Sequence, residues 1–235
     1  IAGPGAAAPA LRLLRRVARA CETAAAGGPG ARFALDGLDA ANRALVAETL
    51  GEGEVAWRLD GARPLKAQES VFAGVWAVSG DGPERIEVGA APAAVLARAF
   101  EPARPATGAG TPRGPGVVNG PAIVTELVEK SAGFGPDAAV HVVNLTLLPH
   151  TPEDLDHLDA ALGEGAAKGL SRGYGDCRVE ATALPGLWRV RFFNAMGALI
   201  LDTFEVTAMP EAALAASEDF HDSAERLDEA LEAIR

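Results

Sequence analysis

The chain has 235 residues, 49% hydrophobic and 23% charged, enough apolar side chain for one large packed core or two small ones. Its 32 acidic and 21 basic residues leave a net charge of -11. That balance argues against duplex nucleic acid, whose phosphates call for clustered lysine and arginine, and favours a basic partner.

No run approaches the roughly 20 apolar residues that span a bilayer, and no signal-peptide pattern is present, so the expectation is a cytoplasmic protein without membrane insertion. The chain opens on Ile1 and not methionine, which leaves room for a preceding segment of undetermined content. Cys21 and Cys177 lie far apart with no C-x-x-C pair, which speaks against a disulfide scaffold or a cysteine-rich zinc site.

Residues 1–9 are rich in alanine, glycine and proline and read as irregular. From 11 to about 25, Leu11, Leu14, Val17, Ala18 and Cys21 keep helical spacing. Arg12, Arg15, Arg16 and Arg19 crowd the other faces and read as a solvated helix surface ahead of a binding stripe. Glycines at 27–30 stop this helix, 32–35 suits a short strand, and Asp39 caps a helix to about 50. Three strand candidates follow at 54–59, 68–78 and 85–88, and Pro92 opens a helix to about 100. Residues 101–118 are dominated by Pro, Gly and Ala and read as a connector between a first half, 1–100, and a second, 119–217.

The second half starts with a helix capped by Asn119 and running to about 130, then a strand at 139–148. Thr151, Pro152, Glu153 and Asp154 are a helix start, and Leu155, Leu158 and Leu162 are its buried stripe. Residues 177–183 alternate as a strand, Pro185 and Gly186 turn the chain, and 187–193 place Trp188, Val190 and Phe192 opposite Arg189 and Arg191. The chain reverses at 194–197 into a strand at 198–206, and Pro210 sits in the first turn of a helix. A C-terminal helix, 218–235, carries Leu227, Leu231 and Ile234.

The two halves resemble each other. Gly74-Val75-Trp76-Ala77-Val78 matches Gly186-Leu187-Trp188-Arg189-Val190, residues 87–92 match 205–210, and Gly53-Glu54-Val55 stands where Gly175-Asp176-Cys177 stands. The expected fold is therefore α+β, with two similar pseudo-repeats, each helix, strand, helix, three antiparallel strands and helix, plus a C-terminal helix.

No P-loop, H-E-x-x-H, G-x-S-x-G or EF-hand pattern occurs, so no cofactor, metal or catalytic residue is expected. Asp154, Asp156, His157 and Asp159, like Asp219, His221 and Asp222, read as solvated helix faces. The alternative is a small enzyme or a metal- or iron-sulfur-handling protein using Cys177 with His141, His150, His157 or His221 as base. The inward position of Cys177 in its strand opposes it. Polar residues also stand inside apolar strands: Gln68, Glu69, Asn144, Arg172, Tyr174 and Asn194. They either satisfy turn and strand-end backbone groups or form a patch that reads a partner chain.

AQESVFAGVWAV (67–78), HVVNLTLLP (141–149), SRGYGDCRV (171–179), ALPGLWRVRFFN (183–194) and LILDTFEV (199–206) resemble the HupH/HyaF (HoxQ) family of hydrogenase expression/formation proteins. The resemblance runs in order from about 31 to 231; Asp176 replaces an expected asparagine, a local change at a turn. It implies a non-enzymatic accessory protein or chaperone in the maturation of uptake-type [NiFe] hydrogenases. Its implied partners are the small-subunit precursor, met in the cytoplasm before twin-arginine export, and other accessory proteins.

Overall fold

In the computed structural model, which describes residues 7–136, 138–173 and 175–234, the first helical pattern becomes α1 (Ala8–Ala25), followed by β1 (Ala31–Ala34). Asp39 caps α2 (Ala40–Leu50) by accepting the Asn42 N–H at 2.8 Å. Then come β2 (Val55–Leu59), β3 (Leu65–Glu69), β4 (Val75–Ser79), β5 (Arg85–Val88) and α3 (Ala93–Arg98). β6 (Pro102–Arg104) precedes α4 (Gly120–Ala132), β7 (His141–Asn144) and α5 (Pro152–Leu162). β8 (Glu164–Gly165), β9 (Ala167–Arg172), β10 (Gly175–Ala181), β11 (Leu187–Asn194), β12 (Leu199–Val206) and α6 (Ser217–Ala233) complete the chain. The mixture of helices with antiparallel sheet makes this an α+β protein, as the sequence predicts.

The chain divides into two units, one of residues up to 56, 64–93 and from 214 on, the other of 57–63 and 94–213. In the first, the strands lie in the order β1-β5-β4-β3, and α1 and α6 pack with α2 on a core that includes Leu14, Val17, Cys21, Val75, Ile86, Phe220 and Leu227. In the second the order is β9-β10-β11-β12-β7, with most of β2 beside β9. Here α4 and α5 cover one sheet face through Val124, Leu127, Leu158, Leu187 and Phe204. The other face holds Trp188, whose ring meets Trp57 and Phe100 edge-on at centroid distances of 6.0 and 5.0 Å.

Several expectations need correction. The stretch 68–78 is not one strand: Gly74, with φ at +75°, turns the chain between β3 and β4. The first half therefore has four strands, β2 to β5, not three, and the second gains β9 ahead of its expected three. The strand expected over 139–148 ends at Asn144, where a 3-10 turn (Leu145–Leu147) begins and the Thr146 hydroxyl takes the Asp202 N–H at 2.8 Å. After Pro210 there is only a 3-10 turn (Glu211–Ala213), whereas α6 begins where expected, with Asp219 accepting the Ala216 N–H. Asn119 makes no side-chain cap; Asp154 serves the start of α4 instead. The region read as a connector holds β6, paired with β8, and a 3-10 turn (Gly108–Gly110).

Corresponding residues of the two halves make corresponding bonds. The Trp76 indole donates to the Gly89 carbonyl at 2.9 Å, and the Trp188 indole to that of Thr207 at 3.1 Å. Ser70 Oγ accepts from the Phe72 N–H, and Thr182 Oγ1 from that of Leu184. Both α2 and α5 have 11 residues and end on a left-handed glycine, Gly51 and Gly163. We propose, on these matched contacts, that the chain holds two related halves.

Candidate functional site

The polar residues singled out from the sequence belong mostly to turns. Gln68 lies on β3, and its Nε2 donates to the carbonyls of Gly53 and Val55 at 3.0 and 3.2 Å. Glu69 is buried and accepts the Gly74 N–H through Oε1 at 2.8 Å. Burial pushes its carboxyl above the ordinary range, with Asp219 and Glu54 adding to the rise. Asn194 closes the β11–β12 turn, its Oδ1 accepting from Met196 and Ala198 at 2.9 and 3.0 Å.

Asn144 stands opposite Thr203 at the end of β7, its Oδ1 buried without a partner. Arg172 is exposed at the end of β9, beside Asp176. Tyr174 lies outside the described residues. Gln68 and Glu69 thus share a turn of the first unit, while Asn144, Arg172 and Asn194 sit near strand ends of the second.

The helix-face reading of Asp154 and His157 is overturned. Asp154 is fully buried, its carboxylate accepting from Val118 and Gly120 through Oδ1 at 2.8 and 2.7 Å and from Thr151 through Oδ2 at 3.1 Å. Burial alone raises its pKa; the N–H groups of Gly120, Thr151, Val118 and Asn119 outweigh that and hold it well below the usual carboxylate range. His157 is buried too, whereas His221 and Asp222 are exposed. Among the described residues no three of His, Cys, Asp and Glu come together as metal ligands.

Cys177 is 7% exposed on β10, and burial pushes its thiol up to about 11, with the Glu205 charge adding to the rise. Cys21, in the first unit's core, is raised to about 12 for the same reason, with Glu22 contributing. Neither thiol forms a useful thiolate fraction at neutral pH. Both are expected to label with an alkylating reagent only on unfolding, and Cys177→Ser is expected to cost about 1 kcal/mol of stability, read from urea midpoints. Labelling of Cys177 in folded protein at the rate of a free thiol would favour the enzyme reading.

Two features of the second unit escaped the sequence reading. One is a cleft of about 230 Å³ between α5 and the sheet, where Lys168, Arg189 and Arg191 face Glu164 and Glu180. Its cations are already held: Arg189 grips Asp202 with two bonds of 2.9 and 2.6 Å, Arg191 pairs with Glu180, and Lys168 with Glu164. The other is a set of exposed apolar side chains, Val140, Val142, Leu147, Met196, Leu199 and Ile200, around β7 and the tip of the β11–β12 hairpin. Its sequence signal is the run from Leu199 to Leu201, apolar without alternation.

These observations define an α+β protein whose second unit exposes apolar side chains around β7 and the β11–β12 turn. The model of the HupH hydrogenase expression protein C-terminal conserved region matches residues 117–234. The chain is 61% identical over 227 residues to the hydrogenase expression/formation protein HupH of Rhodobacter capsulatus, covering 97% of this chain and 82% of that protein. It is 45% identical to HoxQ of Cupriavidus necator, covering 93% and 79%, and 34% identical to the hydrogenase-1 operon protein HyaF of Escherichia coli, covering 82% and 69%. A solved structure of the hydrogenase expression protein HupH from Thiobacillus denitrificans matches with a TM-score of 0.44 and 28% identity, over 49% of this chain and 95% of that one. The chain belongs to the HupH/HyaF family of hydrogenase expression proteins.

Proposed function

We propose that the chain is a non-enzymatic accessory protein in the maturation of an uptake-type [NiFe] hydrogenase, acting in the cytoplasm by binding the small-subunit precursor before its twin-arginine export. The observation that carries this reading is the 61% identity, along 97% of the chain, to a protein named for hydrogenase expression and formation. Two physical features support a binding role. The buried, high-pKa thiols make poor nucleophiles. The net charge of -11 attracts a leader with paired arginines, which speeds encounter, while exposed apolar residues supply contact that lasts. Among the described residues no helix is long and apolar enough to cross a membrane.

The test is affinity capture of the purified small-subunit precursor, with its leader, followed by binding kinetics at two salt concentrations. Raising ionic strength from about 0.05 to 0.5 M shortens the Debye length from roughly 14 to 4 Å. The on-rate is expected to fall severalfold while the off-rate holds. A precursor that the protein does not retain defeats the reading; retention with salt-independent kinetics defeats the steering alone.

A further inference from the structure

α1 and α6 lie side by side on the first unit's core, and each turns a charged stripe away from it. On α1 the stripe is Arg12, Arg15, Arg16 and Arg19, at i, i+3, i+4 and i+7, opposite Leu14, Val17 and Cys21. On α6 it is Glu218, Asp222, Glu225, Glu229 and Glu232, opposite Phe220, Leu227 and Leu231. The two helices are segregated by sign: α1 carries four arginines and one acidic residue, Glu22, while α6 carries seven carboxylates and one arginine.

Like charges at these spacings repel within each helix, and the neighbouring helix does little to relieve them. Between the two runs a groove of about 260 Å³, with Arg15, Arg19 and Glu22 on one wall and Asp228 and Glu232 on the other. Asp222 and Glu225 pair within α6, with Arg226 and His221, and Arg16 lies over the Phe33 ring. Among the described residues, none of Arg12, Arg15, Arg19, Asp228, Glu229 and Glu232 takes part in an ion pair. Both walls of the groove therefore keep charge that nothing in a single copy neutralises at contact distance.

We propose that this helix pair is a self-association surface, onto which a second copy of the chain docks with its α6 over α1 and its α1 over α6. Symmetry carries the choice of occupant. A two-fold axis along the groove exchanges the walls and keeps each residue at its level, so Arg15 and Arg19 meet Asp228 and Glu232 of the second copy, and the same contact forms twice. An axis across the groove would set arginine on arginine, so the charges also fix the orientation. Other occupants fit worse. An acidic polypeptide drawn to the arginines meets Asp228 and Glu232 on the facing wall and a net charge of -11. An anionic membrane meets the same charge, and the apolar stripe that α1 would insert is buried in the core. Size is adequate: α1 and α6, of 18 and 17 residues, make a face of about 27 by 20 Å, on the scale of the roughly 800 Å² per copy that a standard interface covers.

The test is sedimentation of the purified chain across the micromolar range in about 0.15 M salt, where a Debye length of about 8 Å screens the long-range repulsion of two acidic copies and leaves contact pairs. Two charge-reversed proteins are compared with it, one carrying Arg15→Glu and Arg19→Glu, the other Asp228→Lys and Glu232→Lys. Thermal melts establish that each is folded; where a double change melts early, Arg19→Glu or Glu232→Lys alone takes its place. The expected result is a wild-type dimer, self-association at least tenfold weaker in either reversed protein, and wild-type affinity regained when the two are mixed, since each then meets opposite charge on both walls. A wild-type chain that stays monomeric, or a dimer that neither reversal weakens, overturns the proposal. A mixture that fails to regain affinity overturns it too, because the two-fold arrangement requires that rescue. A monomeric wild type whose arginine-reversed form alone loses the small-subunit precursor identifies an acidic face of that precursor as the occupant, and likewise overturns it.

Discussion

Replacing Trp188 by alanine is expected to lower the unfolding free energy by about 3–5 kcal/mol, the range for deleting a large aromatic from a core. Trp188 is 0% exposed, its ring lies edge-on to Trp57 and Phe100, and its indole N–H is held by the Thr207 carbonyl. Alanine would remove the aromatic contacts and leave that carbonyl without its donor. The measurement is a urea midpoint with the m-value checked for constancy. A loss below about 1 kcal/mol would mean that the tryptophan is not the centre of its unit's core.

Asp154→Ala is the second large effect. The carboxylate closes a capping box with Thr151 at the start of α5 and also receives the N–H groups of Val118 and Gly120 at the start of α4, so one side chain ties two helix starts together. Orphaning these donors is expected to cost on the order of 3 kcal/mol. Asn42, the counterpart on α2, does a similar task with a neutral amide whose Oδ1 accepts the Ala10 N–H at 2.9 Å. Asp154→Asn is therefore expected to be milder, since it keeps an acceptor for α4 but turns an amide donor towards Thr151.

The pH dependence follows from the depressed carboxyl. Its contribution is complete above the unfolded value near 3.9 and declines as pH falls below it towards the lower folded value. Wild-type stability should thus drop below about pH 4 more steeply than that of Asp154→Ala, in urea midpoints taken from pH 7 to 3. Parallel curves for the two proteins would show that Asp154 is not held ionised by its donors.

Local signals located most of the elements. Helical spacing in α1, the Asp39 and Thr151 caps and the alternation around Trp188 are short-range patterns, and the structure follows them. They failed where a neighbour decides. The stretch 68–78 keeps a strand-like composition through its turn, so only the approach of the Gly74 N–H to Glu69 reveals two strands. Residues 145–148 read as strand because they are apolar, but pairing with β12 stops at Asn144.

The site was less legible than the fold. Gln68, Glu69 and Asn194 stood out as polar groups in apolar surroundings, and each has a backbone partner that the sequence does not display. The exposed residues Met196, Leu199 and Ile200 drew no attention, because an apolar residue in a strand is by default assigned to a core.

The sequence alone determined the α+β class, the family and the places of the two central tryptophans, since these rest on periodicity, order and residue identity. Only the tertiary structure decided that Asp154 is buried and not solvated, that Glu69 serves a turn, and that Leu199 and Ile200 are exposed. Burial and strand neighbourhood depend on which distant segments arrive beside a residue, and Asp154 meets donors 34 and 36 positions away. No local period carries that information.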